Sequence, residues 1–77
     1  MSAPRISIDQ WTTLVSVVES GGYAQAASRL HKSQSTLTYA IQKMERLLGV
    51  QLFVLKGRKA ELTPTGQLLY QIGRAHV

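Results

Sequence analysis

The sequence predicts a mainly α-helical domain that carries one small β-hairpin. Apolar residues recur with a helical period in three stretches before Gly49, separated by a glycine pair and by a short polar turn. After Gly49, short apolar runs lie on either side of the tetrapeptide 56–59, Lys-Gly-Arg-Lys, and a Thr63-Pro64 pair then begins another helical stretch. This order predicts three helices, a two-stranded hairpin and a fourth helix.

The composition limits the chain to one small domain. At 77 residues, folding buries only about 60 % of the surface that the unfolded chain exposes, so the core must be small. There is no cysteine for a disulfide or a thiolate metal site, and the two histidines, His31 and His76, stand far apart. No apolar run is long enough to span a membrane. We therefore expect a cytoplasmic domain with no metal or other cofactor.

Positive charge is concentrated in the middle of the chain. The formal net charge is +5, yet residues 1–28 hold one arginine against two acidic residues. Residues 29–59 hold seven lysines and arginines against Glu45 alone. Such clustering is typical of a surface that binds a polyanion, although a solvated basic face that keeps a protein soluble has the same composition.

The first helix is predicted to begin after Ser7 and to end at the Gly21-Gly22 pair. Ser7 and Gln10 have the spacing of a capping box, in which each side chain accepts a hydrogen bond from the other residue's backbone N–H. Glycine after an apolar stripe is typical of a helix end. The apolar stripe of this scaffold helix consists of Trp11, Leu14, Val15 and Val18.

The second helix is predicted over residues 23–30 and leads into a turn at residues 31–33. Alanines keep one of its sides thin, so that another helix can approach closely and at a steep angle. These alanines are Ala24, Ala26 and Ala27, and the side chains expected to face inward are Tyr23, Ala27 and Leu30.

The third helix, residues 34–48, is predicted to have two opposed faces. The apolar face consists of Leu37, Ile41, Met44 and Leu48. The opposite face carries hydrogen-bonding side chains and no carboxylate: Ser35, Thr38, Tyr39, Gln42 and Arg46. A helix whose apolar face is buried and whose exposed face carries hydrogen-bonding side chains suits the major groove of DNA, where base edges and phosphates accept hydrogen bonds. The pattern predicts a helix-turn-helix with Ser33 as the N-cap.

The segment after Gly49 predicts a hairpin with a basic tip. Residues 52–55 form the first predicted strand, residues 56–59 the turn and residues 60–62 the return strand. Such a hairpin beside a helix-turn-helix is typical of a wing, whose tip can follow the DNA backbone or place Arg58 in the minor groove. The alternative is an ordinary surface hairpin whose lysines favour solubility.

The fourth helix is predicted to begin with Thr63 as its cap and Pro64 in its first position. Its apolar side consists of Leu68, Leu69 and Ile72, and the pattern stops at Val77 without a capping glycine. We expect a second copy of the chain to cover this side, which predicts a homodimer. The unfinished pattern indicates a fragment of a longer protein.

One pattern of motifs runs from Ile8 to Gly66. It comprises Glu19-Ser20-Gly21, the stretch Ala26-Ala27-Ser28-Arg29-Leu30-His31, Ser33-Gln34, Met44-Glu45, Leu48-Gly49-Val50, Leu52-Phe53, Gly57-Arg58 and Leu62-Thr63. In this order the motifs resemble the N-terminal DNA-binding domain of a LysR-type transcriptional regulator. The resemblance implies a bacterial winged helix-turn-helix in residues 1–62 and, in residues 63–77, the start of a linker helix that dimerises.

The resemblance also implies partners. It implies double-stranded DNA, a homodimer, a tetramer as the alternative state of the full-length parent, and a small-molecule effector bound only by a separate domain that is absent here. The family's base-contacting positions map onto Gln34, Ser35, Thr38, Tyr39 and Gln42, with Arg58 as the wing residue. Further contacts with the DNA backbone are expected from Lys32, Ser33, Lys43, Arg46, Lys56 and Lys59.

Five positions depart from the family's usual pattern. The family usually has proline at Ser35, a serine-arginine pair at Thr38-Tyr39, an apolar residue at Lys32 and arginine at Leu55. Four of these positions lie in the turn and the third helix, so the target sequence cannot be transferred from relatives.

Three other classes of function compete with a regulator. An enzyme is disfavoured, because the acidic residues are scattered and no nucleophile and base stand together in the sequence. A membrane-surface role is disfavoured because no exposed aromatic or leucine face backs the basic residues. The remaining alternative is a winged-helix protein-interaction module without specific DNA readout.

Overall fold

The computed structural model of the chain describes residues 6–57 and 59–76. Over these ranges it contains four helices and one two-stranded antiparallel hairpin, which confirms the predicted winged helix-turn-helix followed by a further helix. None of the helices described in these ranges is long and apolar enough to cross a membrane. The elements are α1 Ile8–Ser20, α2 Tyr23–Leu30, α3 Gln34–Leu48, β1 Phe53–Lys56, β2 Lys59–Leu62 and α4 Pro64–His76.

Helix α1 begins as predicted, but its buried face differs from the predicted stripe. The capping box is complete, with Ser7 Oγ accepting from the Gln10 N–H at 3.1 Å and the Gln10 side chain accepting from the Ser7 N–H at 2.8 Å. The buried residues are Thr13, Leu14 and Val17, whereas Val15 is only half-buried. Because α2, α3 and α4 all contact α1, its covered surface is wider than one stripe and is centred away from Val15.

Helix α2 packs through Ala26 and Ala27, which are both buried. Ala24 is exposed, so the prediction that it belongs, with Ala26 and Ala27, to the thin side on which another helix packs is wrong. The reason is helical geometry: with 3.6 residues per turn, Ala24 faces almost directly away from Ala26. His31 ends the helix in the left-handed conformation with φ 56°, and the Lys32 N–H donates to the Ala27 carbonyl at 2.9 Å.

The core consists of two adjoining clusters. One contains the buried Leu14, Ile41, Met44 and Leu52, with the half-buried Trp11 and Leu69 packed against it. The other contains the buried Val17, Ala26, Ala27 and Leu37. Three members of the predicted apolar face of α3 are at most 1 % exposed, so this face anchors α3 in the core.

The hairpin differs from the prediction: β1 is shifted by one residue from 52–55, and β2 begins one residue earlier than the predicted 60–62, so the connection has two residues and not four. Leu52 precedes β1 and is fully buried in the core, so it does not belong to the strand. Lys56 is the last residue of β1 and Lys59 the first of β2, and the two stand opposite each other in the register. A two-residue connection favours glycine at a positive φ, and Gly57 has φ 65°. Arg58, the predicted wing residue, lies outside the described residues.

Helix α4 begins at Pro64, with the predicted cap. Thr63 Oγ1 accepts from the Gly66 N–H at 2.9 Å and donates to the Gln51 carbonyl at 2.6 Å. The predicted apolar side divides between two environments. Leu69 packs on the core, whereas Leu68 is 59 % and Ile72 40 % exposed.

Candidate nucleic-acid interface

The exposed face of α3 forms the centre of the candidate site. Its back is fixed by buried Leu37, Ile41 and Met44, so the side chains opposite them point away from the body of the protein. Burial on one side of a helix anchors the backbone from which the other side projects. The residues exposed on the front are Gln34, Ser35, Tyr39, Gln42 and Arg46.

Thr38 occupies a more enclosed place than the sequence indicates. It is half-buried and lines a cleft of about 240 Å³ between α3 and the hairpin. Gln42 and the hairpin residue Leu55 line the same cleft. Thr38 therefore lies at the edge of the exposed face, on the side of the wing.

The first turn of α3 is capped by Ser33. Its Oγ accepts from the Thr36 N–H at 3.1 Å and lies 2.8 Å from the Thr36 hydroxyl oxygen. The Ser33 hydroxyl oxygen acts as the acceptor of the cap, and its contact with the DNA backbone stays a prediction. The helix N-terminus that it holds carries a partial positive charge, which favours a phosphate nearby.

Cations flank the exposed face of α3 on both sides. Lys32 and Lys43 line a cleft of about 530 Å³ between α3 and the start of α1, and Asp9 is the acidic residue of that cleft. On the other side, Lys56 and Lys59 extend from the ends of the two hairpin strands. All four lysines are exposed. The site is therefore a hydrogen-bonding strip between two pairs of positive charges.

Lys56 and Lys59 form a like-charged pair across the hairpin. They are directly opposite in the strand register, where like charges repel and lower stability. An anion bound between or beside them would relieve this repulsion. The end of the hairpin is thus arranged for a negatively charged partner.

Glu45 connects α3 to the hairpin and was not identified as functional from the sequence. Its half-buried carboxylate accepts from the Leu52 N–H at 2.7 Å and from the Phe53 N–H at 3.4 Å. The signal in the sequence was its position as the sole acidic residue of residues 29–59. This contact fixes the beginning of β1 relative to the exposed face of α3.

An aromatic contact supports the same connection. The rings of Tyr23 on α2 and Phe53 on β1 have centroids 5.8 Å apart and are tilted by 57°. Burial, and next to it the negative charge of Glu45, raises the pKa of Tyr23 to about 12. Tyr23 therefore stays neutral at physiological pH and packs as an aromatic side chain between the helix-turn-helix and the wing.

Glu19 of α1 and Glu45 of α3 take part in structural contacts, and no metal-binding group is assembled in the part of the chain that the structure describes. Over residues 6–57 and 59–76, no three histidine, aspartate or glutamate side chains come together in a group that could hold a metal ion. Glu45 is engaged by backbone N–H groups, and Glu19 accepts a hydrogen bond from the Tyr70 hydroxyl at 2.9 Å.

Comparisons with known proteins agree with this geometry. A family model described as "Bacterial regulatory helix-turn-helix protein, lysR family" matches residues 8–67. The transcriptional regulator TfdT of Cupriavidus pinatubonensis is 41 % identical over 69 residues, which cover 90 % of this chain and 30 % of TfdT. The chain spans less than a third of the length of the curated relatives that it matches.

Two similar solved structures contain DNA. The DNA-binding domain of CbnR in complex with DNA superimposes with a TM-score of 0.85 at 36 % identity, covering 91 % of this chain and 80 % of that one. The DNA-binding domain of BenM bound to catB site 1 DNA superimposes with a TM-score of 0.86 at 31 % identity, covering 91 % of this chain and 79 % of that one.

Proposed function

The chain belongs to the lysR family of bacterial regulatory helix-turn-helix proteins, and we propose that it is a sequence-specific double-stranded DNA-binding domain of a transcriptional regulator. Helix α3 enters the major groove, and the hairpin lies over the neighbouring backbone and minor groove. The observation that carries the proposal is the exposed, hydrogen-bonding face of α3 between two pairs of lysines. The likeness to domains solved with DNA supports it.

Base contacts are assigned to the front of α3. Gln34 and Gln42 are exposed and offer both a donor and an acceptor, which matches the N6 and N7 atoms of adenine in the major groove. Ser35 and Tyr39 offer hydroxyl groups beside them. Thr38 lies at the wing side of this face, where its methyl group can contact a thymine methyl.

Backbone contacts are assigned to the flanking cations. Lys32 and Lys43 bind phosphates on one side of the groove, and Lys56 and Lys59 bind those on the other. Arg46 extends the front of α3 towards its C-terminal end. These contacts orient the domain on the duplex without selecting bases, and their strength falls as salt increases.

A homodimer would place two copies of α3 in successive major grooves. The exposed Leu68 and Ile72 on α4 are the apolar surface that a second copy would cover. Leu69 contributes less, because it already packs on the core of its own chain. We place the site of action in the cytoplasm, where bacterial DNA lies. In this proposal, an effector site and the contacts of a tetramer lie outside the 77 residues, in a region that corresponds to the rest of the longer relatives.

A fluorescence-anisotropy titration at two salt concentrations tests the proposal. The 77-residue chain and a labelled duplex pool are titrated at about 50 and 200 mM salt. With four to five phosphate contacts per domain, log K should fall with log salt at a slope of about −4. A protein-interaction module that does not bind DNA would show no such binding at either salt concentration, which would refute the proposal.

A further inference from the structure

Leu55 is the most exposed large hydrophobic side chain of the described residues. It is 77 % exposed, more than Ile8 at 65 % or Leu68 at 59 %. It lies in β1, directly before Lys56 and opposite Ala60 in the strand register. Neither the core nor any neighbouring element explains a leucine at this place.

The hairpin holds Leu55 in a defined position. Side chains alternate between the two faces of a strand, so Leu55 shares a face with Phe53, which packs on Tyr23. Leu55 therefore continues the inner, apolar face of the hairpin beyond the point where the body of the protein covers it. The Glu45 contacts with the Leu52 and Phe53 N–H groups anchor the beginning of the same strand.

Leu55 also borders the DNA-facing surface of α3. It lines one cleft with Thr38 and Gln42 and a second cleft with Gln34. Lys56 follows it in the chain, and Lys59 stands across from Lys56. An exposed leucine is thus held between the base-contacting face of α3 and a pair of cations.

The chemistry of DNA restricts what this side chain can contact. Leucine has no donor for a phosphate, so its partners are apolar: the thymine methyl in the major groove, or the deoxyribose carbons and base edges in the minor groove. An α-helix with side chains is about 10–12 Å wide and fills a major groove of about 12 Å. Little space remains there for a hairpin beside α3, and the next groove across the backbone is the minor groove.

We propose that Leu55 enters the minor groove next to the site bound by α3 and packs against its deoxyribose walls. Lys56 and Lys59 then bind the phosphates that border this groove. The proposal rests on the proposed function and adds a contact that is apolar and independent of salt. It makes Leu55 a determinant of affinity at base pairs that α3 does not touch.

Two substitutions at Leu55 and one elsewhere test this contact. Leu55→Ala removes most of the apolar surface, Leu55→Arg introduces a charge, and Ile8→Ala is the matched control on the outer side of α1. Dissociation constants are measured at two salt concentrations, on the DNA that the 77-residue chain selects in vitro. Because both positions are exposed, we expect all variants to fold, and thermal melting checks this.

The expected pattern separates an apolar from an ionic contact. Leu55→Ala should bind about tenfold more weakly with an unchanged salt slope, since no phosphate contact is lost. Leu55→Arg should steepen the slope by about one unit, and Ile8→Ala should stay within about twofold of the wild type. Equal affinities of Leu55→Ala and Ile8→Ala would overturn the proposal. A wild-type chain that binds no DNA would instead refute the proposed function itself.

The choice of groove has its own test. The same titrations are repeated on DNA in which deoxyuridine replaces thymidine, which removes the methyl groups of the major groove. A minor-groove contact predicts the same loss for Leu55→Ala on both DNAs, because the two changes are then independent. A smaller loss on the deoxyuridine DNA would show that Leu55 contacts a thymine methyl, and the assignment to the minor groove would be wrong.

Discussion

At the scale of single residues, Glu45 shows how one carboxylate joins two parts of the candidate interface. It projects from α3, the helix assigned to the bases, and accepts from backbone N–H groups at the start of the wing. A part-buried N–H group that loses its acceptor keeps its full desolvation cost. The position of the wing relative to α3 therefore depends on this side chain.

Replacing Glu45 by alanine should destabilise the fold by about 1–3 kcal/mol, because the Leu52 N–H is left without its acceptor. Glu45→Gln keeps an acceptor oxygen and should retain part of that stability. The measurement is urea unfolding followed by circular dichroism. Glu61→Ala is the matched control, since Glu61 is exposed on β2. Equal stability of Glu45→Ala and Glu61→Ala would contradict this role.

Tyr23 makes stability depend on pH in the alkaline range. Its folded-state pKa is raised to about 12 from an ordinary value of 10.0, so folding favours the protonated phenol. This contribution is complete below pH 10 and is lost as the pH rises towards 12, because the unfolded chain releases its proton first. With allowance for solvent screening of a half-buried group, the loss amounts to about 1–2 kcal/mol.

The substitution Tyr23→Phe should remove this part of the loss of folding stability at alkaline pH. Between pH 8 and pH 11, the melting temperature should fall less in Tyr23→Phe than in the wild type. Tyr39→Phe is the matched control and should decline as the wild type does, since its ring is 59 % exposed. An alkaline decline in Tyr23→Phe as large as that of the wild type would show that Tyr23 does not make this contribution.

Local signals in the sequence were sufficient for the residues that cap helices. Ser7 with Gln10, Ser33 and Thr63 form their predicted caps, because capping depends on residues three positions apart. The contacts of Glu45 join residues seven and eight positions apart across a turn. No helical or strand period predicts such a contact, so it became visible only in the structure.

At the scale of elements, the helices were predicted better than the hairpin. A helix of eight residues or more repeats its apolar pattern over several turns, and the bounds of α2 and α3 match the prediction. The strands have four residues each, too few to separate a strand residue from a core residue beside it. Leu52 shows this, because it is apolar and adjacent to β1 but belongs to the core.

Two buried glycines set how closely α4 approaches the rest of the fold. A Cβ atom on Gly73 would lie 2.7 Å from Trp11 Cε3 on α1, and one on Gly66 would collide with the backbone oxygen of Leu52. The Trp11 ring belongs to a side chain that can shift, whereas the Leu52 carbonyl also accepts the Thr63 N–H at 3.0 Å. The two positions therefore differ in how well they tolerate alanine.

Alanine at either glycine should destabilise the protein, with Gly66→Ala the more severe. Gly73→Ala should cost about 1–2 kcal/mol after the helical preference for alanine offsets part of the clash. Gly66→Ala should cost more, because a backbone group must move. Thermal melting measures the order, and tryptophan fluorescence should change in Gly73→Ala alone. A stabilised Gly66→Ala would show that α4 does not approach this closely.

At the scale of the whole molecule, charge and apolar surface lie on different elements. Exposed lysines lie on both sides of α3, and the exposed Leu68 and Ile72 lie on α4. The separation leaves the DNA-facing surface free when a second copy covers α4. The sequence predicted both surfaces, since each follows from residue type along one element. The sequence did not predict that Leu69 packs on the core. This contact with the cluster around Leu14 and Leu52 depends on tertiary packing, which no pattern along α4 reveals.

In the proposed homodimer, base specificity would come from one recognition helix per chain and two chains per site. Two copies of α3 related by a two-fold axis require two half-sites separated by about one or more turns of the duplex. Ser35, Thr38 and Tyr39 of α3, together with Gln34 and Gln42, are the proposed determinants of the half-site. This combination predicts a target of its own rather than one transferred from relatives.

In vitro selection from a random duplex pool with the 77-residue chain tests the central claim most directly. We expect enrichment of one motif made of two symmetric half-sites, about 10 base pairs or a multiple apart, with adenine at positions that relax in Gln34→Ala. Gln71→Ala, an exposed glutamine on α4, should select the wild-type motif. Salt-dependent binding without any enriched motif, or a motif unchanged in every α3 variant, would contradict sequence-specific binding through α3.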